Sequence, residues 1–216
     1  MIEGVVFDLD GVIVDSEHVW DDVRQQLAEE RGGRWHDQAS RDMMGMSSPE
    51  WSRYMHDVIG LSEPAEEINA EVVRRLEQVY REELPLLPGA VEAVESLAAR
   101  WPLGLASSSN RELIDLVLET SGLDRCFKAT VSSEEVPRGK PAPDVFLEAA
   151  RRLGVDPERC AAVEDSENGI LSAKAAGMRV IAIPNPQYPP ADEALAEADV
   201  VLPATTALTP DAVEPS

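Results

Sequence analysis

The chain has 216 residues, and its 41 acidic side chains against 19 basic ones give a formal net charge of −22. A field of that sign repels phosphate backbones and anionic lipid, so binding to nucleic acid or to membrane surfaces is disfavoured. Hydrophobic residues make up 44% of the sequence, too many for a disordered acidic chain, so the expectation is one domain, or one domain carrying a smaller insertion.

In chain order, the first element is the apolar run Val5-Val6-Phe7-Asp8-Leu9, which reads as a buried strand ending in acids and Gly11. From Ser16 to about Leu84 the pattern is helical, with stripes such as Val19, Val23, Leu27 and Val72, Leu76, Val79. Ser16 is placed to cap the first helix, and glycines at 32, 33, 45 and 60 divide the region into several. No strand is expected there. Pro85-Leu86-Leu87-Pro88-Gly89 marks a boundary. Helices at about 89–100, 110–121, 143–153 and 167–176 then alternate with strands Leu103–Ala106, Ala129–Val131, Ala161–Glu164 and Arg179–Ile183, with Val200–Leu202 as a last strand. The last dozen residues, rich in Pro, Thr and Ala, are expected to fray.

This alternation predicts an α/β fold, a doubly wound parallel sheet, with an all-helical insertion after the first strand. The expected division is residues 1–15 and 86–216 as the sheet-based core and residues 16–85 as the insertion. Cys126 and Cys160 show no disulfide or metal spacing and read as reduced thiols. The chain begins Met1-Ile2-Glu3-Gly4 with no basic leader, and no apolar run is long enough to cross a membrane, so a cytoplasmic protein is expected, monomeric or weakly dimeric.

Polar residues fall at the carboxyl ends of the predicted strands, where ligands bind in open α/β sheets. Asp8 and Asp10 follow the first strand, Ser107-Ser108-Ser109 the second, and Glu164-Asp165 a later one, while Lys140 lies in a loop before a helix. Singly, each has a structural reading: turn acids, a helix N-cap, a solvated lysine. Lys140 is harder to dismiss, because only Lys128, Lys140 and Lys174 among the 19 basic residues are lysines. Converging carboxylates call for a cation between them, and a hard, oxygen-seeking Mg²⁺ suits work on phosphates. Lys140 and Ser107 would then hold phosphoryl oxygens, Asp8 would be a nucleophile, and Asp10 a general acid for a poor alkoxide leaving group.

These residues also resemble the four motifs of the haloacid dehalogenase superfamily. Asp8-Leu9-Asp10-Gly11-Val12 is similar to the first and Ala106-Ser107-Ser108-Ser109-Asn110 to the second. Gly139-Lys140-Pro141 is similar to the third, and Val163-Glu164-Asp165-Ser166 to the fourth. The resemblance runs from residue 1 to about 185, and it implies a Rossmann-like core with a helical cap. It implies Asp8 as the phospho-accepting nucleophile, Asp10 as acid/base, and Ser107, Ser108 and Lys140 on the phosphoryl group. Mg²⁺ would be held by the Asp8 carboxylate, the Asp10 carbonyl and Asp165, with Glu164 alongside. The implied function is a Mg²⁺-dependent phosphatase acting on a small phosphorylated metabolite, a sugar phosphate first.

Within the β-phosphoglucomutase-like branch, mutases carry a histidine where this chain has Trp20, and an arginine after a Gly-x-Ser where it reads Gly45-Met46-Ser47-Ser48. Both departures favour the bacterial sugar phosphatases, such as 2-deoxyglucose-6-phosphatase, over a mutase, which stands as the alternative. Trp20, Met44, Met46 and Arg53 are the residues expected to sort substrates from the cap. A phosphate-storing receiver module is a further alternative, but receivers carry their lysine after the other groups and lack so large a helical insertion.

Overall fold

The computed structural model describes residues 1–214. Six parallel strands form one sheet: β1 (Gly4–Phe7), β2 (Leu103–Ser107), β3 (Phe127–Ser132), β4 (Cys160–Glu164), β5 (Arg179–Ala182) and β6 (Val200–Val201). Their order is β3-β2-β1-β4-β5-β6, so the direction of winding reverses between β1 and β4. There Phe7 pairs with Leu105 on one side and Val163 on the other, which brings the residues after three strand ends to one edge.

Alternation along each strand feeds two cores. Val5, Phe7, Leu103, Leu105 and Val163 share one with α5 (Ala90–Ala98) and α6 (Arg111–Ser121). Val6, Ala106, Ala162 and Val180 share the other with α7 (Asp144–Leu153) and α8 (Glu167–Ala175). Strands buried on both faces read as unbroken apolar runs, which is why they were legible in the sequence.

Between β1 and β2 the described residues are helical: α1 (Glu17–Glu30), α2 (Ala39–Met43), α3 (Ser48–Tyr54) with a π-helical turn at Met55–Ile59, and α4 (Ala65–Glu82). Ser47 and Glu50 form a capping box at the start of α3. The apolar stripe of α4 runs by fours through Val72 and Leu76 to Tyr80, leaving Val79 exposed, contrary to the expected stripe. The two strands of chain entering and leaving this segment lie side by side. The Asp15 amide donates to the Pro85 carbonyl at 2.8 Å, and the Leu87 amide to Ile13 at 2.9 Å. The apolar cluster around β1 and β2 continues into these helices through Leu27, Trp51 and Leu76.

Two expectations need correction. Ser16 precedes α1 but makes no side-chain cap, because its hydroxyl is spent on Asp10. The tail does not fray over its described part: Thr205–Ala207 is a 3₁₀ turn, α10 (Pro210–Val213) follows, and Leu208 and Val213 are buried. The Thr205 hydroxyl donates to the Val12 carbonyl at 3.3 Å, tying the tail to the loop after β1. Pro215 and Ser216, the end of the stretch expected to fray, lie outside the described residues. A short helix, α9 (Asp192–Leu195), was not foreseen. Both cysteines are free. Among the described residues no helix is long and apolar enough to cross a membrane.

Candidate active site

The loops after β1, β2 and β4 meet at the winding reversal, and acids at the ends of β1 and β4 bracket one lysine. Lys140 Nζ donates to Asp8 Oδ1 at 2.7 Å and to Glu164 Oε1 at 2.5 Å. All three residues are buried, with Glu164 wholly excluded from solvent. The Lys140 ammonium also stands 5.0 Å from the centre of the Phe146 ring. Burial alone would lower the affinity of Lys140 for its proton. Asp8 and Glu164 outweigh burial and hold it above the ordinary lysine range.

Asp8, Glu164 and Asp165 each present a carboxylate oxygen within 4.8 Å of the others. Burial, then the neighbouring carboxylates Glu164 and Asp10, push Asp8 well above the usual range despite Lys140. Burial, Glu164 and Asp8 do the same to Asp165. One lysine therefore does not balance three acids. Glu164 is already committed, since its second oxygen accepts from the Asp165 and Ser166 amides at 3.0 and 3.1 Å and from the Ser166 hydroxyl. Asp165 accepts no such bond from the described residues. An all-oxygen donor set with surplus negative charge fits a hard divalent cation such as Mg²⁺.

Two glycines make room for these acids. A Cβ on Gly11, whose φ is +73°, would fall 1.9 Å from Asp165 Oδ2, and one on Gly169 would fall 1.8 Å from Glu164 Oε1. Composition could not reveal that role, because the clash is with acids far away in sequence.

Asp10 stands apart from the three-carboxylate group. Its oxygens accept from the hydroxyls of Ser16 at 2.5 Å and Ser109 at 2.6 Å, with Ser107 at 3.4 Å. Ser107 is fully buried, and its oxygen also accepts from the Ser109 amide, so it braces the turn beneath the site and does not line the cavity. Ser108 does line it, and its buried hydroxyl has no partner. Of the expected site residues, Asp8, Asp10, Ser108, Lys140 and Asp165 therefore line one cavity; Glu164 lies behind Lys140, and Ser107 behind Asp10.

The opposite wall comes from the helical insertion: Glu17, Trp20, Arg24, Met43, Met44, Gly45, Met46 and Trp51. Trp20, Met44 and Met46 are where the sequence reading put them. Arg53 is not, because Trp51 turns inward on α3 and a residue two positions later points to solvent. Glu17 and Arg24 were missed. They sit three before and four after Trp20 on α1, hence on one helical face, and that spacing was the available signal. Burial and then Asp10 push Glu17 up to about 7, while burial draws Arg24 down to about 10. Tyr80 on α4 does not line the cavity, and burial together with Asp10 raises its phenol well above the usual value. The cavity between the walls measures about 60 Å³. A larger groove of about 520 Å³ shares Met44, Gly45 and Ser166 with it and is flanked by Arg41, Asn168 and Tyr188.

A family model described as haloacid dehalogenase-like hydrolase matches residues 2–177. The chain is 34% identical over 227 residues to hexitol phosphatase B of Escherichia coli, covering 96% of this chain and 95% of that one. It is also 34% identical over 183 residues to the bifunctional riboflavin kinase/FMN phosphatase of Arabidopsis thaliana, covering 84% of this chain and 48% of that protein, so it spans about half of that relative's length. Among solved structures, CbbY from Rhodobacter sphaeroides in complex with xylulose-(1,5)bisphosphate superimposes with a TM-score of 0.88 at 26% identity, covering 100% of each chain. A β-phosphoglucomutase from Clostridium difficile superimposes with a TM-score of 0.84 at 25% identity, covering 98% of this chain and 95% of that one. The protein is a phosphoric monoester hydrolase, and the chain belongs to the haloacid dehalogenase-like hydrolase family.

Proposed function

We propose that the protein hydrolyses the phosphate ester of a small polyhydroxylated metabolite, a sugar or sugar alcohol phosphate, with Asp8 as nucleophile. The observation that carries this reading is Lys140, buried between Asp8 and Glu164 beside the unpartnered hydroxyl of Ser108. A fixed cation and an unspent donor next to a carboxylate are what a phosphoryl group needs on three sides. The 34% identity to a hexitol phosphatase supports a polyol ester as the substrate.

In this reading an Asp8 oxygen attacks phosphorus and the bond from phosphorus to the ester oxygen breaks. Asp10, as the carboxylic acid, gives its proton to the departing alkoxide. It then takes a proton from the water that attacks the aspartyl phosphate, releasing inorganic phosphate and restoring Asp8. Ser16 and Ser109 hold Asp10 in place for both transfers. Lys140 and Ser108 hold the phosphoryl oxygens, and Glu164 orients Lys140. Asp8, Asp165 and the Asp10 main-chain carbonyl would hold Mg²⁺, with Glu164 completing the acidic group. A bound Mg²⁺ supplies the positive charge that three converging carboxylates lack.

Residues 16–85 act as a cap over this site, swinging on the paired segments around Val14 and Leu86. The cavity of about 60 Å³ is far smaller than a ligand site of roughly 300–1,000 Å³, so a substrate of ordinary size needs the cap to lift. The test is a screen of phosphorylated metabolites for phosphate release, with Mg²⁺ and with chelator. The expected result is metal-dependent release that is strongest with sugar or polyol esters. Interconversion of glucose 1- and 6-phosphates without phosphate release would instead make it a mutase.

A further inference from the structure

Arg24 is a buried cation held by no hydrogen bond or ion pair among the described residues, with only the longer-range attraction of the Glu17, Asp21 and Asp10 carboxylates to offset its charge. It is 6% exposed and lines the same cavity as Asp8 and Lys140. Its guanidinium carbon lies 4.5 Å from the ring centre of Trp20 and 4.7 Å from that of Trp51. It makes no hydrogen bond and no ion pair with the described residues, and its Nε is buried without a partner. Taking an ion out of water costs several kcal/mol, and contact with two aromatic faces recovers only part of that. The two indoles meet edge-on, with ring centres 5.8 Å apart and planes at 69°, and the guanidinium carbon sits over the corner they form, its donors unspent on any hydrogen bond among the described residues.

Glu17 faces the same cavity from two helical turns earlier on α1, likewise without a side-chain hydrogen bond, and Trp20 lies between the two. The cap wall thus offers an acceptor, an aromatic face and a fork of donors in a row. A group that answers all three must donate to Glu17, accept from Arg24 and present C–H surface to Trp20. Adjacent hydroxyls on a carbon chain do so. A carboxylate or second phosphate would satisfy Arg24 but has no proton to give Glu17, and an apolar group would leave both polar side chains unpaired.

We propose that Arg24, packed against Trp20 and Trp51, is the cap's substrate-reading residue, donating to hydroxyl oxygens of a polyol leaving group while Glu17 accepts from a neighbouring hydroxyl. The proposal rests on the phosphatase reading and goes past it, assigning the choice of alcohol to two residues that act on the leaving group and not on the phosphate. An arginine fork left unpaired by a substrate lacking those hydroxyls is a source of discrimination, whereas one methylene more or less in an apolar pocket discriminates weakly.

The experiment compares kcat/KM of the wild type, Arg24→Met and Arg24→Lys for three esters: a hexitol 6-phosphate, an unbranched alkyl phosphate of similar length, and phosphoglycolate. The wild type is expected to favour the hexitol ester over the alkyl ester by about ten- to hundred-fold, the size of lost hydrogen bonds to a charged group. In Arg24→Met that preference collapses to within about three-fold, and Arg24→Lys, which keeps charge but not the fork, retains part of it. Thermal denaturation establishes that each variant is folded, and Arg24→Lys carries the test alone if Arg24→Met is not. A preference that survives in the variants, or an equal loss on all three esters, overturns the proposal. So does a wild type that favours phosphoglycolate and loses that preference in Arg24→Met, since Arg24 would then read an oxyanion. These outcomes leave the phosphatase reading standing. No metal-dependent phosphate release from any ester by the wild type would overturn that reading, and the proposal with it.

Discussion

The two walls of the cavity treat their buried charges in opposite ways. On the sheet side Lys140 has two carboxylate partners, Glu164 is bound at both oxygens, and Asp10 is held by two serine hydroxyls. On the helical side Arg24 lies against two aromatic faces with no ion pair, and neither Arg24 nor Glu17 makes a side-chain hydrogen bond among the described residues. Apart from the Ser108 hydroxyl and the Asp165 carboxylate, which stay open, the sheet wall is assembled before anything binds, as suits groups that meet the same phosphoryl group in every turnover. The helical wall leaves donors and acceptors open, as suits groups whose partners arrive with the leaving group.

That contrast can be broken by mutation. The largest effect is expected from Asp10→Asn, which removes the proton donor from the sheet wall. Turnover of alkyl esters should fall by about 10²–10⁴, and that of aryl esters by less, because an aryl oxide leaves more readily without a proton. Equal losses on both ester types, measured as kcat, would contradict its role as general acid. Next is Lys140→Met, which leaves Asp8 and Glu164 as uncompensated buried acids. It should cost about 3–5 kcal/mol of stability in urea or thermal unfolding without divalent ions. Arg24→Met sharpens the comparison, since it removes a cation that makes no ion pair and acts on Glu17, Asp21 and Asp10 only from a distance. Its cost should be at most about 1 kcal/mol, because the lost cation–π contact is offset by relief of desolvation and by sulfur–aromatic packing. Similar costs for these two substitutions would refute the difference between the walls.

The smallest effect concerns Glu17. A carboxyl held near 7 in the folded protein binds its proton more tightly there than when unfolded, where its value is about 4.5. Its contribution therefore favours folding below the unfolded value and is lost as pH rises towards 7. Glu17→Gln should accordingly raise the melting temperature relative to wild type, with the gap widening from about pH 5 to 7 and then levelling. A gap independent of pH in metal-free buffer would show that Glu17 is not held in its protonated form.

The same contrast explains what could be read from the sequence. The sheet wall was legible because Asp8, Asp10, Glu164 and Asp165 stand at the ends of buried, apolar strands, and because Lys140 is one of only three lysines. Which serine faces the cavity was not legible. Ser107 and Ser108 are neighbours, and only the twist of the loop turns Ser108 outward and Ser107 beneath Asp10. On the helical wall, charged residues are the norm on exposed faces, so Arg24 reads as solvated until Trp20 and Trp51 are seen to enclose it. Arg53 was the error in the other direction, a cation read as facing substrate that stands in solvent. The tail was misread because composition hides the two apolar anchors, Leu208 and Val213.

Phosphate release by the wild type and by Asp8→Asn, measured on the same hexitol phosphate with Mg²⁺ present, tests the central assignment most directly. Asp8→Asn keeps the shape of the site but lacks the attacking oxygen, so a folded variant with no release above the enzyme-free blank is the expected result. Undiminished turnover by that variant would contradict the account.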